Sequence, residues 1–251
     1  MREENGKEFE ALFRRAEDLA ERAERSGSVT HTGFLTPAES YALSQRSDLS
    51  PLLHGGGDCC ERQCAFFLPD WMPAEDFDPA EYLCAIEIKT PFGSPEHRDY
   101  MGAILGLGIG REWIGDITVR EGGAWLFCLP SVKEHLLLNL DKVGRWGVKA
   151  REAALSEAPA AEREYREIRF SVQSPRLDAV CAGMFRLSRT AAAEAIAAGL
   201  VNLNYQVCLK PDAALKEGDI LSLRGRGKGK LLSAGDTRSK KGRLFVTAGM
   251  Y

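Results

Sequence analysis

Four short stretches decide the reading of this chain: Arg176-Leu177-Asp178, Ser188-Arg189, Gly199-Leu200-Val201-Asn202-Leu203-Asn204 and Glu217-Gly218-Asp219-Ile220. Arg176–Met184 and Arg189–Ala198 read as two short helices, the second capped by the Ser188 hydroxyl and closed by Gly199. Leu200–Leu203 and Gln206–Leu209 read as a hairpin around Asn204-Tyr205. Glu217-Gly218-Asp219 turns into a strand over Ile220–Arg224, and Ile168–Val172 supplies a strand ahead of the helices. At the start of the second helix, unpaired N–H groups and the helix dipole favour a phosphate, and Arg189 adds a forked donor.

Charge supports a site for an anion. The 251-residue chain has a formal net charge of −3, yet residues 161–251 hold 16 Lys/Arg against 9 Asp/Glu, while residues 1–160 hold 17 against 27. Between Arg224 and Arg243 stand 8 basic residues and one acid, Asp236. A basic last third on an acidic body reads as a polyanion-binding module. Its candidate contacts are Arg176, Arg186, Ser188, Arg189, Asn204, Lys210, Arg224 and Arg226, with Lys228, Lys230, Lys240, Lys241 and Arg243 from a Gly-flanked basic hairpin. The acidic front part is expected not to bind RNA unaided.

Ahead of this module, the pattern alternates between strands and helices. Ala65–Leu68 and Leu83–Thr90 read as strands, and Ser94-Pro95 opens a helix carrying Met101, Ile104 and Leu105. Ile114–Arg120 and Ala124–Leu129 form a hairpin around Glu121-Gly122-Gly123; Ser131 caps a helix to about Val143, and Gly147–Ala150 is a short strand. Residues 64–152 are therefore expected to be a small α+β sandwich, ferredoxin-like or RNA-recognition-motif-like. Residues 153–167, rich in Ala, Glu and Arg, read as a linker. Residues 1–63 read as a helical region: one amphipathic helix over Lys7–Arg25, then a capping box at Thr36-Pro37-Ala38-Glu39.

Composition narrows the class. Hydrophobic residues make up 44% and charged residues 27%, an ordinary globular balance. No apolar run approaches the ~18 residues of a membrane span. The polar start Met1-Arg2-Glu3-Glu4 is unlike a secretory signal, and seven scattered cysteines fit a reducing compartment. A cytoplasmic protein without a membrane partner is expected.

Residues 176–226 closely resemble the small RNA-binding domain named after ribosomal small-subunit protein S-four, with Tyr205 standing where that family often has Gly. The whole chain resembles the YlmH family of bacterial proteins. That resemblance also rests on His97-Arg98-Asp99-Tyr100-Met101-Gly102, Leu107-Gly108-Ile109-Gly110-Arg111, Ile114-Gly115-Asp116-Ile117, and the tail Arg224-Gly225-Arg226-Gly227-Lys228 with Ser239-Lys240-Lys241-Gly242-Arg243. It implies an α+β chain of N-terminal helices, the middle sandwich and an S-four-type (αL-like) RNA-binding domain over 168–251. It also implies binding to ribosomal RNA and tRNA on the large ribosomal subunit, in ribosome-associated quality control of stalled chains.

Several apparent chemistries dissolve on inspection. His97-Arg98-Asp99 spells a kinase triplet, but the required Asn is replaced by Ile104. His97 shares a helical face with Met101, Ile104 and Leu105 and is expected in a core or interface, leaving Arg98 to contact solvent, RNA or a neighbouring domain; Arg98 and Arg111 are the candidates for a second RNA site. Gly106-Leu107-Gly108-Ile109-Gly110 follows a helix rather than opening one, against a nucleotide loop. Arg176-Leu177-Asp178 echoes the pseudouridine-synthase triplet, yet it lies inside the binding module, where Asp178 is expected to brace a helix. His54, Cys59, Cys60 and Cys64 lack zinc spacing, and Trp125 and Phe127 are expected in a core. No metal, no cofactor and no catalytic residue is expected. The chain reads as a non-enzymatic RNA-binding protein, a monomer off the ribosome, making protein contacts through residues 1–150. The rival is an RNA-modifying enzyme of pseudouridine-synthase type, with His97, Asp99 and Asp116 as its polar constellation.

Overall fold

The computed structural model describes residues 2–160, 165–234 and 242–251. The chain forms two compact units, residues 1–162 and 163–251. Among the described residues, no helix is long and apolar enough to cross a membrane.

The first unit begins with α1 (Arg2–Ser26), β1 (Thr30–His31), α2 (Pro37–Ser44), β2 (Leu52–His54) and β3 (Cys64–Phe67). Thr36 caps α2 in the expected box: its hydroxyl accepts from the Glu39 N–H, and the Glu39 carboxylate accepts from the Thr36 N–H. The segment ahead of residue 64 is not helical throughout, because β1 and β2 pair on either side of β3 in an antiparallel three-stranded sheet. β3 is buried along its whole length. Its period-2 alternation explains why all four residues are apolar: Ala65 and Phe67 pack with Ala16, Ala23 and Leu43 of α1 and α2, while Cys64 and Phe66 pack with Ala85 and Phe127 on the other side.

A four-stranded antiparallel sheet follows. Its elements are β4 (Cys84–Lys89), α3 (His97–Gly106), β5 (Ile114–Arg120), β6 (Gly123–Cys128), α4 (Pro130–Asn139), the small hairpin β7 (Lys142–Val143) and β8 (Trp146–Gly147), and β9 (Lys149–Ala153). The strand order is β5-β6-β4-β9. Ile86, Ile88, Leu126 and Ile117 pack with Tyr100 and Ile104 of α3 and Leu136 of α4. The α4 start differs from expectation. Pro130 occupies the first turn, where it costs no hydrogen bond, and Leu129, not Ser131, is the capping residue.

The second unit comprises β10 (Arg166–Val172), α5 (Leu177–Met184), α6 (Arg189–Ala197), β11 (Val201–Leu203), β12 (Gln206–Val207), β13 (Ile220–Leu223), β14 (Gly227–Ser233) and β15 (Leu244–Met250). Its sheet has the order β10-β15-β14-β13-β11-β12, antiparallel throughout. The two helices cover one face, where Leu177, Val180, Ala192 and Ile196 meet Val201, Leu221, Leu231, Val246 and Ala248. The β11–β12 turn places Asn204 at φ 49° and Tyr205 at φ 68°. A two-residue hairpin turn of this hand demands positive φ at both positions, so Tyr205 adopts a backbone that usually belongs to glycine.

Candidate nucleic-acid interface

Asp178 organises the basic end of the second unit. Its side chain is 10% exposed and receives both arginines of the sequence motif. Arg189 Nη2 donates to Asp178 Oδ2 at 2.6 Å, and Arg176 donates through Nε and Nη2 at 3.2 Å each. The Ala179 N–H donates to Oδ1 at 2.8 Å. Burial pushes the Asp178 carboxyl up, but Arg189 and Arg176 outweigh it and hold the group below the ordinary carboxylate range. The arginine side chains are themselves 43% and 56% exposed at Arg176 and Arg189, and each guanidinium carries five N–H groups, more than Asp178 uses. The expected helix brace and the expected phosphate donor are thus one ion-paired device.

The Ser188 hydroxyl accepts from the Ala191 N–H at 3.0 Å, capping α6 as expected. Arg189 and Arg243 line a common groove of about 540 Å³ together with Phe170, Ala182, Gly183 and Leu187. Arg243 is steadied there by donating to the Ser171 carbonyl at 2.7 Å. Arg186, Lys210, Arg224 and Arg226 are exposed. Lys240 and Lys241 lie outside the described residues.

Three candidates stand elsewhere. Asn204 is buried, and its amide is engaged at both ends: Nδ2 donates to Asp219 Oδ1 at 2.9 Å and Oδ1 accepts from the Ile220 N–H at 2.9 Å. It serves the hairpin rather than a surface. Lys228 and Lys230 alternate with the inward Gly229 and Leu231, so they project from the sheet face opposite α5 and α6. On that face the strand register also places Arg169, Phe245, Thr247 and Tyr251, which the sequence reading passed over. The alternation Phe245, Thr247, Gly249, Tyr251 against Val246, Ala248, Met250 carried the signal.

In the first unit, Arg98 pairs with Glu96 at 3.2 Å at the exposed start of α3, and Arg111 contacts the Met101 sulfur in the turn after α3. His97 is exposed, contrary to the core expectation, because α3 turns Tyr100 and Ile104 inward instead. Two of the three residues of the enzyme reading, Asp99 and Asp116, are engaged by backbone N–H groups. Asp99 accepts from the Glu96 N–H at 2.8 Å, and Asp116 accepts from the N–H groups of Glu61 and Arg62. Phe127 is 4% exposed in the core, as expected, whereas Trp125 on the same face is half-buried and lines a groove of about 430 Å³ with Glu87, Lys89 and Arg120. Cys64 is fully buried, and burial pushes its thiol up to about 12. The His54 Nδ1 accepts from the Gly56 N–H at 3.0 Å. Among the described residues, no group of three or more His, Cys, Asp or Glu is placed to hold a metal ion.

Comparison with known proteins places these features in a family. Residues 73–157, which span the four-stranded sheet, match the family model described as "Putative RNA-binding domain in YlmH". That match falls in the acidic unit, where the sequence reading placed the candidate second contact of Arg98 and Arg111. The solved structure of the cell division protein ylmH from Streptococcus pneumoniae is similar in fold, with a TM-score of 0.51 and 22% identity over 60% of this chain and 93% of that one. The ribosome-associated protein quality control protein P2 of Bacillus subtilis (strain 168) is 33% identical over 221 residues, covering 86% of this chain and 85% of that protein. With that identity sustained over most of both chains, this chain belongs to the YlmH family.

Proposed function

We propose that this chain is a non-enzymatic RNA-binding protein of the cytoplasm that holds ribosomal RNA and tRNA together on the large ribosomal subunit, in quality control of stalled peptidyl-tRNA complexes. The observation that carries this reading is the Asp178 brace. A buried carboxylate ties Arg176 and Arg189 together at the capped start of α6, where guanidinium N–H groups that Asp178 does not use and the helix dipole favour a phosphate. Fixed donors lose little freedom on meeting a phosphate, so they position RNA without reading its sequence. The name of the Bacillus subtilis relative supports the ribosomal context.

Two finer fold readings accompany this. The order of helix, helix, hairpin and strand over 177–223 supports an S-four-type domain. In the first unit, the βαββαβ succession with strand order β5-β6-β4-β9 supports an RNA-recognition-motif-like or ferredoxin-like sandwich. Part of that sheet's outer face is covered by Phe34, Cys64 and Phe66 over Ala85 and Phe127, leaving the Trp125 end for RNA. Residues 1–150 serve protein contacts, and the chain is monomeric off the ribosome.

The test is gradient sedimentation of the wild type and an Arg224→Glu/Arg226→Glu variant with empty and peptidyl-tRNA-loaded large subunits. Wild type is expected to co-sediment more strongly with loaded subunits, and the variant to lose that association. Equal, weak association of both proteins with both kinds of subunit overturns the proposal.

A further inference from the structure

The second unit's sheet has two unlike faces. One is the core beneath α5 and α6; the other is covered by no element of that unit among the described residues. On the open face, cations and rings interleave. The Arg169 guanidinium lies 4.6 Å from the Phe245 ring centre, and the Lys228 ammonium lies 5.0 Å from that of Tyr251. Tyr165 and Tyr251 meet edge to face at 6.4 Å, each 39% exposed. The β-register fixes these neighbours: Arg169 lies opposite Thr247, Ser171 opposite Phe245, and Gly249 lies between Glu167 and Lys230. Gly249 is required, since a Cβ there would come within 2.6 Å of the Tyr165 ring. The sheet thus keeps Tyr165 lying against its surface.

We infer that this open face is a second RNA surface, binding a single-stranded segment by stacking bases on Tyr165, Tyr251 and the Arg169–Phe245 pair while Lys228 and Lys230 meet its phosphates. The inference rests on the RNA-binding reading above and gives it a substrate class. Among the described residues of this face, three cations stand against one acid, Glu167, a balance that favours a polyanion. The rings select among polyanions. A duplex hides its base faces in its own stack, whereas a single strand offers one π-face per nucleotide to an aromatic or guanidinium plane. An open sheet face also suits an extended strand better than the groove lined by Arg189 and Arg243.

The experiment is fluorescence anisotropy of the full chain with a labelled oligouridine of about twelve nucleotides, run beside sedimentation with large subunits. Replacing Arg169, Lys228 and Lys230 together with Ser is expected to weaken oligouridine binding more than tenfold and to lower the salt slope by about 1.4, the share of the two phosphates met by Lys228 and Lys230 at near 0.7 each. Tyr251→Leu is expected to cost about tenfold, the loss of one stacked base, with the slope unchanged. The Arg224→Glu/Arg226→Glu variant is expected to keep its oligouridine binding and lose subunit association. Circular dichroism confirms that each variant folds. Wild type that does not bind oligouridine overturns the inference. So does a triple variant that binds like wild type, an outcome that leaves an acidic protein as the occupant. Wild type that binds oligouridine but not subunits supports this surface while overturning the ribosomal reading.

Discussion

Arg189 Nη2 and Asp178 Oδ2 lie 2.6 Å apart, joining the first turn of α6 to the first turn of α5 through a nearly buried carboxylate. Asp178→Asn removes the charge both arginines use and is expected to cost about 1–2 kcal/mol, the lower part of the range for charged hydrogen bonds because both arginines are half-exposed. The folded carboxyl ionises at lower pH than in the unfolded chain. Its contribution is therefore complete above about pH 4 and fades as pH falls through the folded value. Urea unfolding of wild type and variant should show a stability gap at pH 7 that narrows steadily in acid.

Asn204 tests whether the hairpin amide serves structure or RNA. Asn204→Ala loses the bonds to Asp219 and Ile220 and must also hold a φ of 49° with a Cβ. Asn204→Gly loses the same bonds without that strain. The alanine variant is expected to be less stable than the glycine variant by roughly 1 kcal/mol, read as a difference in unfolding midpoint. RNA affinity per folded molecule should be the same in both.

Arg62 is a structural cation. It is 8% exposed, and its guanidinium donates to the carbonyls of Ile114 at 3.2 Å, Phe34 at 2.8 Å and Arg111 at 2.9 Å. Burial, followed by Arg111, pulls its pKa below the ordinary arginine value. Arg62→Met strands three carbonyls and is expected to destabilise the first unit by roughly 3 kcal/mol or more. Arg62→Lys should recover little, because an ammonium cannot reproduce the fork. Thermal denaturation followed by near-ultraviolet circular dichroism measures both.

Arg224 and Arg226 flank the β13–β14 turn and are exposed. Changing both to Ala is expected to reduce the magnitude of the log–log salt slope for binding to large subunits by about 1.4, two phosphate contacts at near 0.7 each, with oligouridine binding and the unfolding midpoint unchanged. A weaker affinity at an unchanged slope would show that they do not meet phosphate.

The sequence was most informative where local chemistry decides structure. The Ser188 cap, the Thr36–Glu39 box and the Asn204-Tyr205 turn are all set within a few residues and stand where expected. It was least informative where a residue's meaning depends on a distant partner. The strand around Phe66 was legible, but not that β1 and β2 would flank it, since two- and three-residue strands leave no period to read. His97 shares helical spacing with apolar residues, yet only packing decides which face turns inward, and α3 buries Tyr100 and Ile104. At the candidate site, the basic residues were visible as charge. Their division between the helix side and the open sheet face follows from strand parity in β14 and β15, which needs the register to be known.

The pairing of β10 with β15 has a kinetic corollary. Arg166 lies opposite Met250 and Val172 opposite Leu244, so every rung of that ladder joins positions more than seventy residues apart. Contacts of such long sequence separation close late and slowly, because the intervening loop entropy is spent before any rung forms. During synthesis, Arg166–Val172 emerges as a strand without its neighbour and stays so until residues 244–250 have been made. Over that interval the α5–α6 helices and the β11–β13 strands can assemble as a local nucleus, while β10 exposes an unpaired edge open to mispairing. The last strand to be made is therefore the one that locks the unit, and substitutions in β15 should slow folding less than they hasten unfolding.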